Sequence, residues 1–316
     1  MRFFVTGGAG FVGSHFIDRA LREGHSVTCF DDFSTGKELF LEDAMRHPAF
    51  RLVRGDIVEL DQVSRALDGG ADWVAHFAAN ADVRHGTERP RRDLDINTIG
   101  TWNVLEAART RGVRRILFSS TGSVYGEPTV FPTPEDAPFP EQTSLYAASK
   151  LAGEALISAY CHGFGFQGLV FRMVSVLGPR YTHGHIFDFV RFLKKDPTTL
   201  PVLGDGSQNK SYLHVSDLVN GYFTAIERAP AGFSVLNVGH DGSLKVKESV
   251  ALITGRLGLS PTIAYAGGSR GWVGDSPRIQ LDTTRLKRLG WAPARTLEQA
   301  VGETVDYLVA HPNLLD

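Results

Sequence analysis

The chain has 316 residues, 42% of them apolar, enough to bury a core in one large domain or two modest ones and to exclude a mostly disordered chain. Lysine and arginine total 33 against 35 aspartates and glutamates, so the net charge of −2 gives no electrostatic reason to expect nucleic acid or an anionic membrane as partner. Two cysteines, Cys29 and Cys161, are too few for a disulfide framework or a Cys-rich zinc site.

Short apolar or β-branched runs alternate with helical stretches through the first half. Arg2–Thr6 reads as a strand, Phe11–Glu23 as a helix stopped by Gly24, and Ser26–Phe30 as a second strand. Arg51–Val53 and Trp73–Phe77 follow as strands, then a long helix from about Asp95 to Thr110, closed by Gly112. Arg115–Phe118, a helix over Leu145–Cys161 and the strand Leu169–Met173 complete the series. Apolar strands alternating with helices predict a parallel sheet covered on both faces. Beyond about residue 176 proline and glycine become frequent, and helices are predicted at about 185–195, 246–257 and 296–310. Val235–Val238 is one more short strand, in a segment near 212–240 expected to return to the main sheet. No apolar run approaches the roughly 20 residues of a membrane helix. Met1 leads directly into RFFVTGG, without the regions of a signal peptide, so a cytoplasmic location is expected.

The most informative stretch is Thr6-Gly7-Gly8-Ala9-Gly10-Phe11-Val12-Gly13, directly after the first strand and opening the first helix. Glycines there permit a tight turn, close backbone approach to a pyrophosphate, and close packing of helix on strand. The helix N-terminus adds N–H donors and the positive end of its dipole. Asp31, 18 residues after Gly13, ends the second strand where a carboxylate can bind adenosine ribose hydroxyls. Asp32 and Phe33 follow, with no arginine at hand for a 2′-phosphate, so NAD is favoured over NADP. The alternative, a tight turn without a ligand, leaves this context unused.

Tyr146 and Lys150 stand four apart on one predicted helix, which puts both side chains on the same face. An ammonium beside a phenol favours the phenolate, so Tyr146 is expected to act as a general base near neutral pH. Ser119, Ser120 and Thr121 end the strand before it, where ligands bind in parallel sheets. For Ser119 and Ser120 local hydrogen bonding to backbone is an equal alternative.

At this point the chain resembles the extended short-chain dehydrogenases/reductases of the nucleotide-sugar epimerase/dehydratase family. The motifs are TGGAGFVG, the Asp31 pair, Gly55-Asp56-Ile57, HFAA (His76–Ala79), NTIGTWNVLEAA (Asn97–Ala108), SSTGSVYG, YAASK and LGPR (Leu177–Arg180). They continue through GDGSQNKSYLHVSD (Gly204–Asp217) and LGW (Leu289–Trp291), so nearly the whole chain is covered. The fold class implied is α/β: a Rossmann-type doubly wound parallel sheet over 1–175, with a smaller C-terminal α/β substrate-binding region over 176–316. By resemblance, Thr121 hydrogen-bonds the reacting sugar hydroxyl, Tyr146 is the base, and Lys150 holds the nicotinamide ribose and tunes Tyr146. Gly7, Gly10, Phe11, Val12 and Gly13 line the pyrophosphate of NAD, and Asp31, with Asp32 beside it, binds the ribose. Asp56 and Ile57 match adenine-side contacts, while Ala78, Ala79 and Asn97 flank the cofactor's inner half. A homodimer is implied, through helices near 95–111 and 145–161.

Within the family, water-eliminating dehydratases carry an Asp-Glu pair after the catalytic threonine, and uronate decarboxylases keep the Glu; here those positions are Gly122 and Ser123. What remains is redox at one carbon, as in a 4-epimerase acting on a nucleotide-diphosphate sugar. The alternatives are a dehydrogenase or dehydratase of the same fold, or a non-catalytic NAD-sensing regulator. For the substrate, Arg84, Ser123, Ser175, His185, Lys210 and Arg270 are candidates. Ser175 replaces a usual asparagine, Lys210-Ser211 a usual Arg-Asp, and the late basic contact shifts to Arg270. These departures leave the nucleotide and sugar open, a heptose among them. The spacing His183-Gly184-His185 is weighed as a metal site and set aside for want of partner ligands.

Overall fold

Runs such as Phe3-Phe4-Val5 and Ile116-Leu117-Phe118 are apolar on successive residues, the pattern of strands buried on both faces. The structure, a computed structural model, describes residues 1–81, 88–138, 141–271 and 278–315. Six strands pair in parallel: β1 (Arg2–Thr6), β2 (Ser26–Asp31), β3 (Phe50–Arg54), β4 (Trp73–His76), β5 (Arg115–Ser119) and β6 (Gln167–Met173). A seventh, Phe233–Val238, lies outside β6, giving the order Phe233–Val238, β6, β5, β4, β1, β2, β3. The order reverses between β1 and β4, and ligands bind doubly wound sheets at the carboxyl ends of the strands flanking such a switch.

The chain divides into two compact units. The first comprises Met1–Val124, Ser144–Arg172 and Tyr222–Leu236, and the second comprises Tyr125–Thr143, Met173–Gly221 and Asn237–Asp316. One face of the first unit's sheet is covered by the helices Gly100–Thr110 and Leu145–Phe164, with Phe4, Phe30, Val74, Phe118 and Ile157 in the shared core. On the other face Phe16 lies between Phe3 and Phe223, at centroid distances of 5.2 and 5.0 Å. In the second unit Asn237 is a fully buried hub. Its side chain accepts from Tyr125 Oη at 2.8 Å and donates to the carbonyls of Thr133 and Asp282.

The predicted elements are all present, most with ends within two residues. Two corrections concern helices. The helix expected from Asp95 begins at Pro90 and is interrupted by a π turn over Leu94–Ile99 before it continues as Gly100–Thr110. A helix not predicted, Val215–Arg228, follows the strand Tyr212–His214. Gly221 within it lets the indole of Trp291 approach, since a Cβ there would meet Trp291 Nε1 at 3.3 Å. No described helix is long and apolar enough to cross a membrane.

Candidate active site

The loop after β1 is built by what its glycines lack. Gly7 has φ +68°, and a Cβ on it would lie 2.4 Å from the backbone nitrogen of Ala78, so two sheet-end loops meet there. A Cβ on Gly13 would lie 2.2 Å from the carbonyl oxygen of Gly7. The helix Phe11–Arg22 thus starts pressed against its own loop, with Gly10 as N-cap and no side chain capping it. Phe11 and Val12 form its half-buried first turn. Asp31 Oδ2 accepts from the backbone of Ala9 and Oδ1 from that of Phe33, both at 2.8 Å. Burial nevertheless holds its carboxyl above the ordinary value, with those two hydrogen bonds opposing. Asp32 is exposed and turns to Ser34, accepting from its backbone and its hydroxyl.

One premise of the cofactor expectation is corrected here. No arginine is near Asp31 in sequence, but Arg54 is its neighbour on β3, stacked 4.3 Å over the Phe33 ring and paired with Glu38. Strand pairing brings in a residue that linear proximity cannot reveal. Asp56 Oδ1 accepts from the backbone of Val58, and Ile57 packs beneath Gly100, where a Cβ would meet its side chain at 2.6 Å.

A hydrogen-bonded line joins the end of β1 to Asn97. The Thr101 hydroxyl donates to the Asn97 carbonyl at 2.6 Å, so its oxygen is left to accept from His76 Nε2 at 3.0 Å. The proton of neutral His76 is therefore on Nε2, and Nδ1 accepts from the Thr6 hydroxyl at 2.6 Å. Burial pulls the His76 pKa down to about 3, in keeping with a neutral ring. Ala78 donates its backbone N–H back to Thr6 Oγ1 at 3.4 Å, and Ala79 follows, half-buried. Asn97, carried on the π turn, donates to Ser149 Oγ at 3.0 Å, and Ser149 donates to the Tyr146 carbonyl at 2.8 Å.

The helix Leu145–Phe164 is capped by Ser144, whose hydroxyl accepts from Ala147 N, and stopped by Gly165 at φ +67°. It presses on β5 at Gly153, where a Cβ would meet Phe118 at 2.9 Å. Three successive side chains at the end of β5 take different partners. Ser119 bonds Tyr222 Oη at 2.7 Å, and Ser120 donates to Glu154. The Thr121 hydroxyl donates to Ser123 Oγ at 3.2 Å and accepts the Ser123 N–H at 3.1 Å. Neither Ser119 nor Ser120 thus makes the local backbone bond that was the alternative for it.

The expected depression of the Tyr146 phenol is not observed. Burial pushes it up to about 12, with the Thr121 hydrogen bond lowering it and the charge of Asp93 raising it. Lys150, only 2% exposed, rests 4.2 Å over the Phe118 ring, and burial pulls its ammonium down to about 7 against the pull of Glu154. Desolvation outweighs the mutual charge effect on which the sequence argument relied. Asp93 is a site residue that sequence reasoning missed. It is 1% exposed, and its Oδ1 accepts from Asn80 and Asn97 side-chain amides at 2.8 and 3.3 Å. Its Oδ2 is buried with no hydrogen-bond partner among the described residues. The absence of acids at 122 and 123 therefore does not leave the neighbourhood free of carboxylates.

In the second unit, exposed Ser175 pairs in register with Tyr212, whose ring lies 5.3 Å from His185 at the start of the helix His185–Lys195. Burial pulls the His185 pKa to about 3, and Lys210 pulls the same way. Arg270 pairs with Glu127 at 2.6 Å, both half exposed. Gln208, missed in the sequence, is 3% exposed; its amide packs over Gly204, where a Cβ would also meet the Arg270 carbonyl. Both amide atoms of Gln208 and Nε2 of His185 are buried without hydrogen-bond partners among the described residues. Arg84 lies outside the described residues, as do residues 272–277, which follow the late basic contact Arg270. No three His, Cys, Asp or Glu side chains converge as a metal ion requires, among the described residues.

Residues 3–239 match the NAD dependent epimerase/dehydratase family, and the chain belongs to it. It is 35% identical over 314 residues to the UDP-glucose 4-epimerase of Mycolicibacterium smegmatis, covering 97% of this chain and 98% of that one. It is 31% identical to a UDP-glucuronic acid decarboxylase of Xenopus tropicalis, over 97% of this chain and 72% of that protein. The crystal structure of the Thermus thermophilus UDP-glucose 4-epimerase complex with NAD superposes with a TM-score of 0.87 at 31% identity, covering 98% and 99% of the two chains. The residues present fit the family's cofactor. Gly7, Gly10 and Gly13 keep side chains out of the loop, the helix N-terminus has no side-chain cap, and Asp31 closes β2 with a buried carboxylate.

Proposed function

We propose that the chain is an NAD-dependent nucleotide-sugar 4-epimerase in which Thr121, Tyr146 and Lys150 manage the proton of the sugar C4 hydroxyl. The observation that carries this reading is the placement of Tyr146 and the buried Lys150 one turn apart on one helix, Lys150 resting on Phe118 of β5, the strand that leads into Thr121. The first unit holds the cofactor, through Gly7, Gly10, Phe11, Val12, Gly13, Asp31, Asp32, Asp56, Ile57, Ala78, Ala79 and Asn97. Bound NAD supplies the two-electron acceptor that takes the sugar's hydride and returns it, together with a cationic ring. Thr121 orients the hydroxyl. Tyr146 takes its proton on oxidation to the 4-keto sugar and gives it back on reduction at the other face. Burial holds the phenol near 12, and the positive charges proposed to favour loss of its proton are the Lys150 ammonium and the cationic ring of bound NAD.

Ser123, Ser175, His185, Lys210 and Arg270 are proposed to bind the nucleotide-diphosphate sugar, as is Arg84, which lies outside the described residues. The unpartnered polar atoms of His185 and Gln208 support this, because buried polar groups are otherwise paired. Leu94, Ile99, Trp102 and Leu145 on helices of the first unit are 39–50% exposed, which supports a homodimer; ultracentrifugation then finds Trp102→Glu monomeric. The location is cytoplasmic, a compartment that holds NAD, and cell fractionation checks it.

A second reading, a dehydrogenase or dehydratase of the same fold, has one observation in its favour: Asp93, a buried carboxylate with Oδ2 unpartnered among the described residues, is linked through Asn97 and Ser149 to the Tyr146 backbone. Incubating the protein with a panel of nucleotide hexoses and heptoses, followed by proton NMR and NADH absorbance, separates the two. Inversion at C4 without NADH accumulation is the expected result. Stoichiometric NADH or a stable keto product sinks the epimerase reading.

A further inference from the structure

Behind Lys150 stands an ion pair that the chemistry above does not use. Glu154 lies one turn further along the same helix and Arg172 on β6, each with a side chain 4% exposed. Arg172 Nη2 reaches Glu154 Oε2 at 2.7 Å, and Nε reaches both carboxylate oxygens at 3.1 Å. The Ser120 hydroxyl donates to Oε1 as well. Both ions are desolvated at a cost that hydrophobic residues of similar shape would avoid, so the pair is weak evidence for stability alone. Its position suggests another use. Of the groups near Lys150, Glu154 is the one whose charge favours its ammonium; His76 on β4 and Tyr146 on its own helix are neutral, and Arg172 is paired with Glu154.

We propose that Glu154, clamped by Arg172 and Ser120 one turn beyond Lys150 on the same buried stretch of helix, is the positioning residue for Lys150: its fixed negative charge keeps the buried ammonium protonated. The inference rests on the epimerase reading only for what the ammonium is used for, not for its charge. Arg172 and Ser120 act by preventing the carboxylate from turning toward solvent or another donor. The bidentate fork fixes both oxygens, and a lysine at 172 would not.

The test reads the Lys150 side chain directly. The chain has eight lysines, so the Lys150 signal in an NMR titration of protein with labelled lysine Cε and Nζ is identified by its loss in Lys150→Met. Glu154→Gln alone strands the Arg172 charge, so the main variant is Glu154→Gln with Arg172→Gln, which removes both charges. The expected result is a Lys150 titration moved down by about one pH unit or more, and an alkaline limb of kcat moved down with it, KM unchanged. Ser120→Ala, which leaves no lone charge, moves both by a smaller amount in the same direction. A Lys150 titration that stays in place in the folded double variant overturns the proposal. If that variant does not fold, an unmoved titration in Ser120→Ala overturns it. Wild-type protein inactive on every nucleotide sugar fails the epimerase reading but leaves the titration, and hence this test, intact.

Discussion

Two regions treat buried polar groups differently, the line from Thr6 to Ser149 in the first unit and the surroundings of His185 and Gln208 in the second, although Asp93 Oδ2 of the first unit is open as well. In the first, Thr6, His76, Thr101, Asn97 and Ser149 spend their hydrogen-bonding capacity on one another, and Glu154 is held by three donor groups. In the second, His185 and Gln208 keep buried polar atoms that no described residue satisfies. A network built from the protein's own side chains defines positions in advance, which is what proton transfer over fractions of an ångström requires. Groups left open cost stability until something else satisfies them, which suits a surface whose partner is the substrate.

Three substitutions probe that contrast. Tyr146→Phe removes the proton acceptor from a finished network, and kcat is expected to fall by about 10³-fold with NAD still bound and the melting temperature near wild type. A loss below tenfold would show that another group takes the proton, Asp93 first among them. Gln208→Leu removes an open group in the other unit. There KM for the nucleotide sugar should rise about tenfold, while ligand-free protein melts no lower than wild type. A clear fall in melting temperature would mean that the amide is satisfied after all. The smallest effect is expected at Asp31. Burial raises its carboxyl, so the folded chain binds that proton more tightly than the unfolded chain does. Its ionised form costs stability above the unfolded value, and the cost disappears as pH falls through that range. The melting temperature of Asp31→Asn measured against wild type should therefore become less favourable on going from pH 7 to pH 4. A difference that moves the other way contradicts the burial argument.

Much of the first unit was legible because its strands are short apolar runs and its glycines sit where the backbone needs them. Gly7 and Gly13 could be read from sequence because their reason is local. Arg54, Asp93 and Arg172 could not, since their roles arise from strand pairing and helix packing between distant segments. The π turn at Leu94–Ile99 adds a residue to one turn, and a 3.6-residue pattern over the whole helix does not resolve that shift. It matters because it carries Asn97. The helix Val215–Arg228 does carry a local signal, since Val215, Leu218, Val219, Tyr222, Phe223 and Ala225 are buried at helical spacing. The phenol of Tyr146 shows the limit of chemical analogy. Spacing placed it correctly, but only the structure shows how far water is excluded from it and from Lys150.

The outermost strand of the large sheet has a consequence for how the protein is made. Phe233–Val238 covers the edge of β6, a strand with five successive residues buried in the finished unit. During synthesis β6 leaves the ribosome some 60 residues before its neighbour, a delay of about 3–12 s at ordinary elongation rates. Throughout that interval it offers an open, apolar edge to other nascent chains. Chains released before Phe233 would carry that edge permanently, so truncation products ending short of it should be found with chaperones or in inclusion bodies.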